Sequence, residues 1–298
     1  MEPWILFTLL ATLLYGALNF LFKVAAERGH DADSLVNLVG LSVSLMALCV
    51  LAATEPRPWL AFPPRVFAYA AFNGLFFALG SLAKFGALAR APAAVVFPLN
   101  RLNSVGVMLI GLFFFGEKPG PFQSLGIFAG FGVLGAVAFE ERSRAESAPS
   151  CAHAAGILLA LASALFTSLS MTVGKLLADS PLNRLAYVAA SYALVYFFTL
   201  ARTALRPMRA HSPTQIPRPR RRERIFFGVA IGALNFAGYF LVLQAFGSGP
   251  ISLSQAIFSS SIVVPILLSR WLYSEKLTPM RHAALALAIL SVALIALD

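Results

Sequence analysis

Arg101 is the residue whose position most strongly indicates chemistry. It lies about nine residues into the apolar stretch 93–115, beside the polar residues Asn100, Asn103 and Ser104. If this stretch crosses a membrane, a charge there costs at least about 2.5–3.5 kcal/mol, so the side chain must face protein or water and by default marks a functional site. Arginine cannot lose its proton at accessible pH, so it would act as a fixed positive charge and hydrogen-bond donor. The alternative is a structural arginine bonded to backbone carbonyls at a helix end.

A polar stripe runs along the first apolar stretch, 3–26. Its members are three or four residues apart: Thr8, Thr12, Tyr15, Asn19 and Lys23. At about 100° per residue, they fall within an arc of about 80° on a helix. One polar face on an otherwise apolar helix is typical of a cavity lining. The alternative is hydrogen bonding between helices, with Lys23 extending to the membrane surface.

Isolated polar side chains occur in two further apolar stretches. Lys84 shares a helical face with Asn73, and Asn235 lies four residues before Tyr239. Polar groups in hydrocarbon either line a functional cavity or join helices through hydrogen bonds. We predict that Lys84, Asn235 and Tyr239 line a cavity. Snorkelling of Lys84 and helix–helix contacts of the other two remain the alternatives.

Acidic residues are absent from the interior of the apolar stretches. Those closest to them lie at ends or turns: Glu27, Glu117, Glu140 and Glu275. We expect Glu117 and Glu275 to have structural roles, capping the turn before the next helix. An exporter that trades a proton for an organic cation needs an intramembrane acid, which this sequence lacks. It also shows no paired acids and no His/Ser/Asp set inside the spans, so we expect no enzyme activity, metal or cofactor.

The elements that position these residues are predicted to be membrane-spanning helices. Of the 298 residues, 59% are hydrophobic and 12% are charged, and soluble proteins carry about twice that charged share. About 20 helical residues cross a bilayer. We predict an all-α integral membrane protein with ten spans, at about 3–26, 34–53, 66–89, 93–115, 121–139, 154–177, 185–203, 225–246, 250–273 and 279–297.

The net charge of +10 comes mostly from the loop between Arg202 and Arg224. A basic loop flanked by spans sets topology and contacts anionic lipid, so we expect a lipid bilayer and no nucleic acid as its partner.

The second part of each half repeats without a gap, whereas the end of the first span aligns at a shift of 152, where Lys23 meets Lys175. Shifted by 158 positions, Pro92 meets Pro250, Glu117 meets Glu275 and Pro121 meets Pro279. Each copy has an odd number of spans, so the second must be inverted in the membrane, and inverted repeats place substrate sites at their interface near the midplane. We predict two inverted five-helix repeats around a central cavity, in 1–140 and 154–298, joined by a linker, 141–153.

The repeat adds a second argument for Arg101. It aligns with Ser259, and Ser252, Gln255 and Ser259 lie at i, i+3 and i+7 on one helical face. If this face lines the cavity, so does the face that bears Arg101.

Three segments resemble a known family. They are YGALNFLFKVAAE near the N-terminus and, once per half, the segments ending in FGEKPGP and YSEKLTP. They are similar to the EamA-type unit of the drug/metabolite transporter superfamily, and the resemblance covers nearly the whole chain. It implies a ten-helix, two-repeat transporter whose central cavity is lined by the first, third and fourth helices of each unit. It does not fix the substrate.

The expected function is secondary transport by alternating access. A partly cationic cavity favours an anionic or zwitterionic organic metabolite, such as an amino acid or carboxylate. The alternative is an exporter of neutral or aromatic solutes in which Arg101 is structural, and a non-transporting membrane scaffold or receptor is a third reading. We expect a multi-pass protein of the cell (inner) membrane that functions as a monomer.

The loop charges and the family resemblance predict opposite orientations. Most basic residues flank the odd-numbered loops: Arg28, Arg90, Arg142, Arg144, Lys276, Arg281 and eight arginines between 202 and 224. The positive-inside rule therefore places both termini outside the cell. The resemblance implies cytoplasmic termini.

Overall fold

The chain folds into helices joined by short connections. A computed structural model describes residues 2–28, 30–88, 90, 96, 99–100, 102–144, 151–205, 221–273 and 278–297. Within these ranges there is no strand, which confirms the predicted all-α class. The α-helices are α1 (Pro3–Glu27), α2 (Ala32–Thr54), α3 (Pro64–Leu88), α4 (Leu102–Phe114), α5 (Pro121–Arg144), α6 (Cys151–Ala178), α7 (Arg184–Leu205), α8 (Arg221–Ser248), α9 (Ile251–Ser259), α10 (Val263–Tyr273) and α11 (Pro279–Ile295). Short 3-10 helices occupy Pro58–Ala61 and Ser260–Ile262.

The described helices account for ten membrane spans. Seven are long and apolar enough to cross a bilayer, counting Ile251–Leu272 as one, and three shorter apolar helices are Leu102–Phe114, Pro121–Val133 and Pro279–Ile295. Large apolar side chains cover their outer surfaces, among them Phe113, Phe114, Phe128, Phe197 and Trp271. So much exposed apolar surface suits contact with lipid. The positions agree with the ten predicted spans, although part of the fourth, including Arg101, lies outside the described residues.

The two halves interlock. α1 packs on α8 as α6 packs on α3, and α2 packs on α8 as α7 packs on α3. Three helices pack against their own repeat counterparts: α2 on α7, α5 on α11, and α4 on α9. Contacts that are preserved when the two halves exchange places are typical of a two-fold relation. Since each half contributes five spans, the halves are inverted relative to each other, as the sequence repeat predicts.

Gly126 and Gly130 of α5 each allow a close helix contact. A Cβ atom on Gly126 would lie 2.6 Å from Ile295 Cγ1 of α11, and one on Gly130 would lie 3.2 Å from the Ala256 carbonyl oxygen of α9. The Ser291 hydroxyl also donates to the Gly126 carbonyl at 2.7 Å. The two glycines have GxxxG spacing, which lets helix backbones approach closely, and here both serve packing.

Replacing Gly126 with leucine should destabilise the bundle. Overpacking of a filled contact costs about 1–3 kcal/mol, which corresponds to a fall in unfolding temperature of about 2–5 °C for a chain of this size. Gly135→Leu is the matched control on the same helix, because a Cβ there meets no atom within 4 Å. Thermal unfolding in detergent measures both. Equal falls for the two variants would contradict the assigned contact.

Candidate functional site

A buried hydrogen-bond network joins the two halves. At its centre, Asn235 Oδ1 on α8 accepts from the Tyr15 hydroxyl of α1 at 3.2 Å and from the Tyr192 hydroxyl of α7 at 3.2 Å. Asn235 is buried, and one amide oxygen therefore holds together three helices from both halves.

A second group of hydrogen bonds is centred on Tyr239, one turn further along α8, whose ring contacts that of Tyr192. The Tyr239 hydroxyl lies 3.1 Å from the Tyr187 hydroxyl of α7 and donates to Asn73 Oδ1 of α3 at 3.5 Å. The Ser170 hydroxyl of α6 donates to the same Asn73 oxygen at 2.6 Å. We call these seven residues the tyrosine–asparagine network: Tyr15, Asn73, Ser170, Tyr187, Tyr192, Asn235 and Tyr239.

Helical spacing explains how the network is placed. Asn235 and Tyr239 are four residues apart and so share one face of α8. Gly238 admits the Tyr15 ring, since a Cβ there would lie 2.9 Å from two ring carbons. Gly174 of α6 similarly leaves room for the Tyr239 hydroxyl, which would lie 3.1 Å from an added Cβ.

Aromatic packing surrounds the hydrogen bonds. The Tyr192 and Tyr239 rings meet edge to face with centroids 6.0 Å apart, and Tyr15 meets Phe258 of α9 edge to face at 5.0 Å. Phe77 of α3 lies 5.8 Å from Tyr192. The network therefore offers uncharged hydroxyl and amide groups between aromatic rings. Such a surface can stack on a flat solute and exchange hydrogen bonds with it.

Asn100 and Asn103, which flank Arg101 in the sequence, form a second polar contact between the halves. The Ser163 hydroxyl of α6 donates to Asn100 Oδ1 at 2.7 Å, and the Ser168 hydroxyl donates to the backbone oxygen of Asn103 at 2.9 Å. Both predicted site residues therefore contact the other half. Arg101 lies outside the described residues, and its cavity role stays a prediction.

The predicted polar face of the ninth span contacts three different neighbours. Gln255 lines a cavity of about 10 Å³ with Thr8 and Phe258, which is about the space that one water molecule needs. The Ser252 amide donates to Glu117 Oε2 at 2.9 Å. The Ser259 hydroxyl donates to the Ala256 carbonyl at 2.6 Å and lies 3.4 Å from the Gly130 carbonyl of α5. Of these three residues, Gln255 is the one that lines this cavity.

The remaining predicted residues lie on α1 and α3. Asn19 and Lys84 are half-buried. The side chain of Lys23 is outside the described part of the structure. Of the predicted set, the structure thus brings Tyr15, Asn235 and Tyr239 together.

Two network tyrosines were missed by the sequence reasoning. Tyr187 and Tyr192 belong to α7, the second helix of its unit, whereas the family resemblance implied a lining from the first, third and fourth. The available signal was the presence of Tyr192 several residues inside a span, away from the interface where tyrosine is common. Asn73 was noted as polar, but its hydrogen bond with Ser170 depends on how α3 packs on α6.

A buried acid marks the end of the bundle where α2 begins. Asp33 is 7% exposed, and its Oδ1 lies 3.9 Å from Arg202 Nη1 at the end of α7. Asp33 and Arg202 line a second cavity of about 10 Å³ with Ser81 and Thr199. Among the described residues, no three His, Cys, Asp or Glu side chains are grouped as metal ligands.

Comparison with known proteins assigns the family. The EamA-like transporter family model matches residues 2–138 and again residues 154–297. A solved structure described as "Crystal structure of protein" has the same fold, with a TM-score of 0.75, 20% identity, and coverage of 99% of this chain and 96% of that chain. No curated protein matches the chain. Two family matches, one in each half, account for nearly the whole sequence, and the helices are those of a multi-pass membrane protein. The chain belongs to the EamA-like transporter family.

Proposed function

We propose that the protein moves a small organic solute across the membrane by alternating access, and that the tyrosine–asparagine network binds this solute. The location of the network carries the proposal, because its hydrogen bonds join α1 and α3 of one half to α6, α7 and α8 of the other. Inverted-repeat transporters bind substrate at the repeat interface and rock one repeat against the other. Such a motion would exchange these bonds for bonds to the solute.

The chemistry of the network favours an uncharged polar or aromatic solute. The polar groups of its side chains are hydroxyls and amides, and the rings of Tyr192 and Tyr239 meet edge to face, as aromatic pairs prefer. We therefore propose the neutral or aromatic solute class, which the sequence analysis gave as the alternative, ahead of the anionic or zwitterionic class.

The second candidate solute is anionic or zwitterionic, bound through Arg101. The observation that favours it is the Asn100–Ser163 hydrogen bond, which brings the residue next to Arg101 against the other half. A zwitterionic solute with an aromatic body would satisfy both sites.

A thermal-shift screen followed by counterflow tests the function. Purified protein is heated with neutral aromatic, zwitterionic and anionic metabolites, and a ligand of the folded state raises the unfolding temperature with its concentration. The compounds that stabilise the protein are then tested for exchange in proteoliposomes. We expect aromatic solutes to stabilise the protein and to exchange. Stabilisation without exchange would favour a receptor or scaffold.

We further propose that the protein acts as a monomer in the cell membrane, with units 1–140 and 154–298 joined by the linker 141–153. The network is completed within one chain, so no second copy is needed to assemble it. Substrate and membrane lipid are then its partners.

Orientation can be measured at the arginine-rich loop. A cysteine placed between positions 206 and 222 of a chain lacking native cysteines should resist an impermeant reagent added to intact cells, because the positive-inside rule keeps this loop in the cytoplasm. Permeabilised cells provide the positive control. Ready labelling of intact cells would overturn the charge-based orientation and place both termini inside.

A further inference from the structure

The cavity beside Gln255 lies between the two halves, outside the hydrogen bonds of the tyrosine–asparagine network. Its polar lining comes from Thr8 of α1 and from Ser254 and Gln255 of α9, and each of these residues is 2% exposed. The apolar lining residues belong to α8 and α9: Val242, Ala245, Phe246 and Phe258. None of the described lining residues carries a charge, so the cavity suits an uncharged group.

The polar side chains of the cavity offer both donors and acceptors. The Ser254 hydroxyl meets no hydrogen-bond partner among the described residues, and a buried hydroxyl without a partner is costly. The Thr8 hydroxyl donates to the Trp4 carbonyl at 2.7 Å, so its oxygen is available as an acceptor. The Gln255 amide can both donate and accept. A neutral hydroxyl or amide group that enters the cavity can therefore form hydrogen bonds on several sides.

Phe258 contacts both this cavity and the tyrosine–asparagine network. Its side chain lines the cavity, and its ring meets the Tyr15 ring edge to face with centroids 5.0 Å apart. The Tyr15 hydroxyl in turn donates to Asn235 Oδ1 at 3.2 Å. One aromatic side chain thus joins the wall of the cavity to the network.

The cavity lies towards the end of the bundle where α1 and α9 begin. The two helices run side by side, and their contacts advance together from this end: Trp4 with Gly249, Thr8 with Ser254, and Tyr15 with Phe258. The end itself is closed, since Trp4 is 3% exposed and a Cβ added to Gly249 would overlap its ring. A solute that leaves the network towards this end meets Phe258 first and the cavity next.

We propose that Thr8, Ser254 and Gln255 form a second solute subsite, and that Phe258 is the gate between this subsite and the tyrosine–asparagine network. The subsite binds an uncharged hydroxyl or amide group of the solute as it passes between the network and the membrane face where α1 and α9 begin. Phe258 moves off Tyr15 to let the solute pass and otherwise separates the subsite from the opposite face. This inference rests on the alternating access proposed above, but the test of the gate needs no solute.

A cysteine reporter tests the gate. Ser254→Cys is placed in a chain without native cysteines, and a membrane-impermeant methanethiosulfonate is added to intact cells or to inside-out vesicles. With Phe258 present, the cysteine should react from one side only. Phe258→Ala should raise the reaction rate from the other side by about tenfold, the factor to which the loss of one aromatic ring pair corresponds. Phe246→Ala is the matched control, because it removes another ring from the same cavity wall and leaves the contact of Phe258 with Tyr15 in place.

A gate and a merely packed ring give different results. Reaction that stays one-sided in Phe258→Ala, a second-side gain of the same size in Phe246→Ala, or no reaction from either side would overturn the proposal. So would two-sided reaction while Phe258 is present. If Phe258→Ala does not fold, Phe258→Leu should give the same second-side reaction with a smaller gain.

Protection by a probe tests the subsite. Benzamide, a neutral aromatic amide, should slow the reaction of Ser254→Cys. Gln255→Leu should raise the benzamide concentration that gives half protection by about fivefold, the size expected for one lost hydrogen bond. No protection, or equal protection in both chains, would refute the subsite. Counterflow of other solutes would still support transport in that case, so a failure of the subsite can be told apart from a failure of the proposed function.

Discussion

Asn235→Leu should lower transport by about 30-fold. The change keeps a side chain of similar size but removes the oxygen that accepts from Tyr15 and Tyr192. Two lost hydrogen bonds of about 1 kcal/mol each correspond to about 30-fold at 25 °C. The rate of counterflow in proteoliposomes measures the effect, with the thermal-shift affinity for the same solute as a second measurement.

The matched control for this variant is Asn37→Leu. Asn37 also uses its amide to join two helices, donating to the Tyr196 carbonyl at 3.1 Å and the Thr199 hydroxyl at 3.0 Å. Its contact joins α2 to α7 outside the tyrosine–asparagine network. Both variants lose an amide that links helices, so both should lose stability, but only Asn235→Leu should lose transport beyond its folded fraction. Equal losses would show that Asn235 stabilises the bundle and does not bind the solute.

The fold was predictable from the sequence because its signals are local or repeated. Apolar runs determine the spans, and the paired Pro and Glu-Lys positions determine the repeat. The spacing of Gly126 and Gly130 is likewise a local signal of close packing, because small residues four positions apart let the backbone of a neighbouring helix approach.

The site was less predictable, because which residues form it depends on contacts with side chains of other helices. Tyr15, Asn235 and Tyr239 were found as polar residues on helical faces, yet nothing in one helix shows that Tyr15 and Tyr192 share the Asn235 oxygen. Tyr187 and Tyr192 were overlooked because tyrosine is counted among the hydrophobic residues of a span, although its hydroxyl needs a hydrogen-bond partner when it is buried. Ser252, Gln255 and Ser259 were predicted to form one polar face of α9, but the sequence does not show which neighbour each side chain meets, and Ser259 lies against the backbone of α5.

The partner of Glu117 was likewise not predictable from the sequence. Its carboxylate accepts hydrogen bonds from the backbone amides of Ile251 and Ser252, at the beginning of α9 in the other half. A Glu-Lys turn after a helix indicates capping, and the sequence predicted a structural role. The target of the cap depends on the interlocked halves, which bring the end of α4 to the beginning of α9. The contact of this turn with the other repeat can therefore be recognised only in the three-dimensional structure.

Arg101→Gln should distinguish the two candidate solute classes. Glutamine keeps polar donor capacity but removes the fixed charge, and at an effective dielectric constant near 20 a charge pair at 4 Å is worth about 4 kcal/mol. Even after partial screening, the affinity for an anionic solute should fall about 100-fold more than that for its neutral analogue. Titrations of both compounds by thermal shift provide the comparison.

The control for the charge is Arg90→Gln. Arg90 is exposed, and its guanidinium donates to the Gly86 carbonyl at 2.9 Å at the end of α3, so its removal should leave the affinities for both analogues nearly unchanged. A large and selective loss in Arg101→Gln alone would assign the anionic or zwitterionic class. Equal losses for the charged and neutral analogues, with normal expression, would make Arg101 a structural residue. The reason is that the loss of a Coulombic attraction weakens the charged analogue but not the neutral one. The tyrosine–asparagine network would then remain the proposed site, for uncharged solutes.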